Sequence, residues 1–100
     1  MSAIYSFTAE VREYQGKGAW HFLNLPEAAA DEIDDLTRDT RRGFGSVRVE
    51  VTIGATTWQT SIFLDTKAGT YLLPVKKPVH KAENFADGSK AKVKLRLIDL

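Results

Sequence analysis

Cysteine is absent from this chain of 100 residues, and methionine occurs only once. The absence of cysteine excludes disulfide bonds, thiolate catalysis and zinc sites with sulfur ligands. Small secreted domains commonly depend on disulfides, so the composition favours a reducing, cytoplasmic location.

Long hydrophobic runs are also missing. No stretch approaches the roughly 20 apolar residues that a transmembrane helix needs, and the first residues lack the basic and apolar regions of a signal peptide. We therefore expect a soluble protein without a membrane partner.

Excess charge of either sign is missing too, because the formal net charge is +1. Residues 1–50 hold 6 basic and 9 acidic side chains, whereas residues 51–100 hold 8 basic and 4 acidic ones. No global attraction to nucleic acid or lipid is expected. The two halves could instead attract one another within the fold.

The remaining composition is that of a folded protein, with 43% hydrophobic and 27% charged residues. This length fits one domain spanning residues 1–100. Alternation of apolar and polar residues predicts strands rather than long helices. We predict six strands, at residues 4–14, 19–25, 47–53, 58–64, 70–75 and 91–97.

Two helical segments interrupt these strands. Pro26 suits the first turn of a helix that we place at Pro26–Leu36, with a buried stripe formed by Ala29, Ile33 and Leu36. Residues 78–84 predict a shorter helix whose Val79 and Ala82 face inward. This order favours a mainly β small barrel or sandwich over a βαβ fold.

A strand ending in Leu-Pro and followed by a helix occurs twice, at Phe22–Pro26 and at Tyr71–Pro74. Gly45-Ser46 and then a strand follow the first copy, and Gly88-Ser89 and then a strand follow the second. The pattern suggests an internal duplication, in which two units would complete one another's sheet. Chance is the alternative, because both dipeptides are common.

Five segments in this order resemble one known family: residues 20–26, 43–47, 60–63 and 71–77, and the ending around Gly88. They resemble the bacterial DUF1905 family of domains of unknown function, over nearly the whole chain. The resemblance implies a double-split β-barrel, the AbrB-like architecture, built from a single chain. It implies no activity. Gly88-Ser89 stands where such units usually have Gly-Asp.

A loop rich in arginine precedes the third strand and suggests an anion site. Guanidinium groups bind phosphates and carboxylates through paired hydrogen bonds. We predict a ligand site for an anionic small molecule or an acidic partner protein at Arg41, Arg42, Phe44, Lys76, Lys77 and His80. The alternative is a solvent-facing loop whose arginines pair with Asp34, Asp35 or Asp39.

A second basic feature lies in the last strand, where Lys90, Lys92, Lys94 and Arg96 share one face at intervals of roughly 6.6 Å. Such a row could follow a phosphate backbone, so nucleic-acid binding by analogy with AbrB-type proteins is the alternative function. The other interpretation is a solvated face whose lysines prevent edge-to-edge aggregation.

Signals for catalysis and for metal binding are weak. Trp20 and Trp58 could line a crevice or simply belong to the core. His21 and His80 lack the spacing of zinc ligands, and Ser61 lacks a nucleophile motif. We therefore predict a monomeric, non-catalytic binding module without a metal or cofactor.

Overall fold

A computed structural model describes residues 4–14, 20–37, 46–85 and 88–98, without the side chains of Tyr14, Trp20 and His80. The described residues form seven strands and two helices. In chain order they are β1 (Ile4–Glu10), β2 (Arg12–Tyr14), β3 (Trp20–Asn24), α1 (Glu27–Thr37), β4 (Ser46–Ile53), β5 (Thr56–Asp65), β6 (Thr70–Val75), α2 (Lys77–Ala82) and β7 (Lys90–Leu97).

All seven strands belong to one antiparallel sheet that curls into a half-barrel, in the order β1-β7-β4-β5-β6-β3-β2. The prediction of a mainly β fold is confirmed. Apolar residues that alternate along β4 and β7 point to the inside of the curl, where Val49, Val51, Val93 and Leu95 are almost fully buried. The opposite, outer face of these strands is polar.

The two edge strands of the sheet are adjacent in sequence, because only Val11 separates β1 from β2. β1 pairs with β7 and β2 pairs with β3, so one segment serves both edges. The prediction of a single strand at residues 4–14 is therefore wrong at Val11. There the chain turns from one neighbour to another, which raises the number of strands from six to seven.

Backbone hydrogen bonds hold this break in place. The Val11 N–H donates to the Ser89 carbonyl oxygen over 2.7 Å, and the Gly88 N–H donates to the Val11 carbonyl oxygen over 2.7 Å. The Val11 side chain is fully buried. The bend thus has satisfied backbone groups and an apolar anchor.

The two tight turns lie in the intervals between the strands predicted at residues 47–53, 58–64 and 70–75. Ile53 pairs with Thr56 across a two-residue loop in which Gly54 has a φ of 59°, a conformation that favours glycine. After β5, the Asp65 carbonyl oxygen accepts the Gly69 N–H over 2.9 Å. Leu64, just before this turn, is 46% exposed although its alternation with the buried Ile62 predicts an inward side chain.

Helix α1 begins at Glu27 rather than Pro26, and its buried stripe consists of Ala30, Ile33 and Thr37. The predicted stripe was wrong on this point, since Leu36 is 53% exposed. Burial of Thr37 is possible because its hydroxyl donates to the Ile33 carbonyl oxygen over 2.6 Å. α1 lies against β6, where the Tyr71 hydroxyl donates to Asp34 Oδ1 over 3.4 Å.

Helix α2 spans one and a half turns and starts one residue before the predicted Pro78. Val79 is buried as predicted, but Ala82 is exposed. Glu83 follows the helix, and its Oε2 accepts the Thr56 hydroxyl over 2.8 Å. This contact fastens the end of α2 to the β4–β5 turn. Among the described residues, neither helix is long and apolar enough to cross a membrane.

Candidate functional site

An open groove of about 460 Å³ lies on the outer face of the sheet, where β7 runs between β1 and β4. Its lining consists of Ser6, Phe7, Thr8, Thr52, Gly54, Lys92, Val93 and Lys94. The alternation of β7 positions its cations. Ala91, Val93, Leu95 and Leu97 are buried, so Lys90, Lys92 and Lys94 are held outward and exposed.

The basic row on β7 has a carboxylate as a cross-strand neighbour towards each of its ends. At one end Arg96 lies opposite Glu50, and Arg96 Nη2 is 3.2 Å from Glu50 Oε2. At the other end Lys90 lies opposite Glu10 on β1. Two of the four cations therefore have a carboxylate as their cross-strand neighbour.

The middle of the row has hydroxyl neighbours instead. Lys94 lies opposite Ser6 on β1 and Thr52 on β4, and Lys92 lies opposite Thr8. Directly paired residues of an antiparallel sheet share a face with their Cβ atoms about 5 Å apart. The groove thus combines two ammonium groups with three hydroxyls, all of which can donate hydrogen bonds to an anion.

Two threonines organise one wall of the groove. The hydroxyls of Thr52 and Thr57 are 2.9 Å apart, and either one can be the donor. When Thr57 is the donor, the proton of Thr52, which lines the groove, stays available to a ligand there. At the adjacent turn Gly54 has no side chain, and the Glu83 carboxylate lies against it.

The sequence comparison assigns the chain to a family and assigns it no chemistry. Residues 7–95 match the family described as a domain of unknown function, DUF1905. The chain belongs to the DUF1905 family. No curated protein matches it. The family resemblance inferred from the sequence motifs is confirmed, and the function of this DUF1905 domain must be argued from its own residues.

The ligand set predicted around the arginine loop is described only in part. Arg41, Arg42 and Phe44 lie outside the described residues, as does the side chain of His80. Lys76 and Lys77 are exposed at the start of α2. They follow β6, which is three strands from β7 in the sheet, and neither lines the groove.

Two of the aromatic and histidine candidates of the DUF1905 domain, Trp58 and His21, contact other residues of the fold. Trp58 is half-buried and packs against the core, and its Nε1 is buried without a hydrogen-bond partner among the described residues. The Trp20 side chain lies outside the described residues. His21 is directed to the inner face, with its Nε2 3.7 Å from Glu13 Oε2.

Metal binding gains no support from the described ranges, in which no three His, Asp or Glu side chains cluster as metal ligands would. A smaller groove of about 380 Å³ lies between β1 and the end of β3. Its charged residues, Glu10 and Arg12, approach one another to 3.8 Å. The smaller groove thus holds one cation and one carboxylate, whereas the groove on β7 is lined by two cations and no carboxylate, which makes it the stronger candidate for binding an anion.

Sequence reasoning found the lysines of the groove but missed its hydroxyls and the carboxylates beside it. Alternation alone places Ser6, Thr8 and Thr52 on outer faces. Which of them lies beside which lysine depends on the pairing register of strands far apart in sequence, and no local pattern encodes that register.

Proposed function

We propose that this DUF1905 domain is a non-catalytic binding module for an anionic ligand, which binds in the groove centred on Lys92 and Lys94. The observation that carries the proposal is the contrast along β7. The two outer cations face Glu10 and Glu50, whereas the two central ones face only hydroxyls across the sheet.

The physical basis is the strength of hydrogen bonds to charged groups. An ammonium group that binds an oxyanion gains about 1.5–3 kcal/mol per bond when water is excluded. Lys92 and Lys94 are exposed, so solvent screening reduces this gain substantially. We expect an affinity that depends on both lysines together and falls as salt rises.

A non-catalytic role agrees with the lining of the groove. The hydroxyls of Ser6, Thr8 and Thr52 could act as nucleophiles only beside a base, as in hydrolases. Neither a histidine nor a carboxylate is among the residues that line the described groove. The groove can hold and orient an anion, and the proposal assigns it no bond-breaking step.

We also propose that the half-barrel is a double-split β-barrel formed by internal duplication. One unit would be β1, β2, β3, α1 and β4, and the other β5, β6, α2 and β7. The first unit begins with a segment that pairs with β7 and then with β3. The second begins with β5, which pairs with β4 along most of its length and with β6 at its last three residues.

Exchanging the two units leaves the order of neighbours around the curled sheet unchanged. β7 and β4 exchange places, as do β6 and β3, and the segment formed by β1 and β2 exchanges with β5. Such symmetry is expected of a duplicated unit and supports the AbrB-like resemblance. One chain would supply both units, so we propose a monomer, bacterial and cytoplasmic as the resemblance and the lack of cysteine suggest.

Nucleic-acid binding is the second candidate for the same face. Lys90, Lys92, Lys94 and Arg96 all lie on the outer side of β7, at the regular spacing that a phosphate backbone could follow. The test therefore has to include an oligonucleotide beside small anions.

The proposal is tested by titrating inorganic phosphate, pyrophosphate and a short oligonucleotide into the purified domain, followed by amide NMR shifts and calorimetry. We expect shifts to centre on β7, β1 and β4. The Lys92→Ala/Lys94→Ala variant should lose about tenfold in affinity. The Lys76→Ala/Lys77→Ala variant is the matched control, because it removes the same charge from exposed residues outside the groove.

Equal losses in the two double variants would show attraction to net charge rather than a site. Full binding by both would contradict the groove and direct attention to Arg41 and Arg42, which would then be changed to alanine.

A further inference from the structure

Resting on the proposed anion-binding function, we infer that the ligand is a compact phosphoryl group, carried as a phosphate monoester, and not the extended backbone of a nucleic acid. The inference comes from the carboxylates that surround the groove, which the lysine spacing in the sequence does not show.

Carboxylates stand at three sides of the groove. Glu50 binds Arg96 at one end of the row, and Glu10 lies opposite Lys90 at the other. Glu83 lies against Gly54, which lines the groove at the β4–β5 turn. A ligand with negative charge along its whole length would bring its outer phosphates close to these groups. Such like-charge contacts oppose binding and discriminate against the longer ligand.

The hydrogen-bond donors at the centre of the groove are suited to a single phosphoryl group. Lys92 and Lys94 alternate along β7, so their Cα atoms are roughly 6.6 Å apart, and two flexible ammonium groups can converge on one anion between them. Ser6 and Thr52 flank Lys94, and Thr8 lies beside Lys92. A monoester offers three terminal oxygens as strong acceptors to this set of donors.

The volume of the groove is suited to a small molecule such as a phosphate monoester. A volume of about 460 Å³ lies within the range of about 300–1,000 Å³ that is usual for small-molecule sites. The open side of the groove leaves room for the organic part of a monoester.

The experiment compares two probes, methyl phosphate and single-stranded octathymidylate, and measures how their affinities depend on salt. Each phosphate contact to a single strand contributes about −0.7 to the slope of log K against log salt. A site with two available cations predicts a slope of about −1.4 for the oligonucleotide, whereas a four-cation track predicts about −2.8. We expect the smaller slope, and methyl phosphate should compete with the oligonucleotide.

The decisive variant is Glu10→Gln/Glu50→Gln, which removes the charge of two surrounding carboxylates and keeps their shape. It should move the oligonucleotide slope towards −2.8 and raise oligonucleotide affinity several-fold, with little change for methyl phosphate. Should the double variant fold poorly, Glu10→Gln alone keeps the Arg96–Glu50 pair and should give about half of the change in slope.

A slope near −2.8 in the unmodified protein, with no competition by methyl phosphate, would overturn the inference in favour of nucleic acid while leaving the proposed function intact. Failure of the proposed function looks different, because neither probe would then depend on Lys92 and Lys94.

Discussion

Gly54 lies in the β4–β5 turn, where it lines the groove and contacts Glu83 at the end of α2. Its φ of 59° is unfavourable for residues with a side chain. A Cβ built there would also clash with the Glu83 carboxylate, which accepts the Thr56 hydroxyl. Gly69 offers a comparison, since it has a φ of 69° but no atom within 4 Å of the position where a Cβ would lie.

We predict that Gly54→Ala lowers the free energy of unfolding more than Gly69→Ala does. Gly69→Ala should show only the backbone cost of about 1 kcal/mol, and Gly54→Ala should add the displacement of Glu83 and the loss of its hydrogen bond, about 1 kcal/mol more. Urea denaturation measures both. Equal losses would mean that Glu83 moves away without cost and that α2 is not fastened to this turn.

Sequence patterns predict the burial of single residues well wherever one face of a strand is apolar and the other is polar. As the alternation indicates, every second side chain of β4 and β7 is buried, namely Val47, Val49, Val51, Ile53, Ala91, Val93, Leu95 and Leu97. Leu36 and Leu64 are exposed although their type and position predict burial. Both lie near the ends of their elements, and whether the core extends that far is decided by packing with other elements.

Strands and turns can be predicted from the sequence when the residues that determine them are neighbours in the chain. The bounds of β6, Thr70–Val75, and the turns before and after β5 agree with the sequence. The break between β1 and β2 could not be predicted in this way. It depends on hydrogen bonds from Val11 to Ser89 and from Gly88 to Val11, more than 75 residues away in the sequence.

The fold alters the ionisation of Tyr5, a tyrosine on β1. Burial, and secondarily the negative charge of Glu32 on α1, raise the pKa of Tyr5 above its ordinary value of 10.0. The folded protein therefore favours the neutral phenol. The stabilising contribution is fully present below the ordinary pKa and is lost as pH rises through the raised pKa of the folded state.

We predict that Glu32→Gln lowers the pKa of Tyr5 towards its ordinary value without reaching it, because burial, the larger cause, remains. Ultraviolet titration of tyrosinate measures the change, and Tyr5→Phe identifies the signal. Glu27→Gln is the matched control, since Glu27 is an exposed carboxylate on the same helix. An equal effect of the two variants would show a general field of the helix rather than the proximity of Glu32.

At the scale of the whole molecule, sequence reasoning predicts the class of the fold, its family and the cations of the candidate site. It does not predict that Glu10 and Glu50 lie opposite the two outer cations, since this follows from the register between β1, β7 and β4. The register depends on closing long loops of chain, and local propensities do not fix it.

The curled sheet as a whole depends on the segment that joins its two edges. Val11 is fully buried at the break in that segment. We predict that Val11→Ala lowers the free energy of unfolding by about 2 kcal/mol through lost burial and the cavity left behind. In addition, amide exchange should accelerate selectively in β1, β2 and their neighbours β7 and β3, because both edges are anchored at this residue.

Val49→Ala is the matched control for this prediction, since Val49 is also fully buried but lies in β4, in the middle of the sheet. It should cost a similar free energy while exchange accelerates only through global unfolding. The comparison separates two roles of a buried valine. If Val11→Ala and Val49→Ala give the same exchange pattern, Val11 is an ordinary core residue, and the edges are held by their own ladders rather than by the segment that joins them.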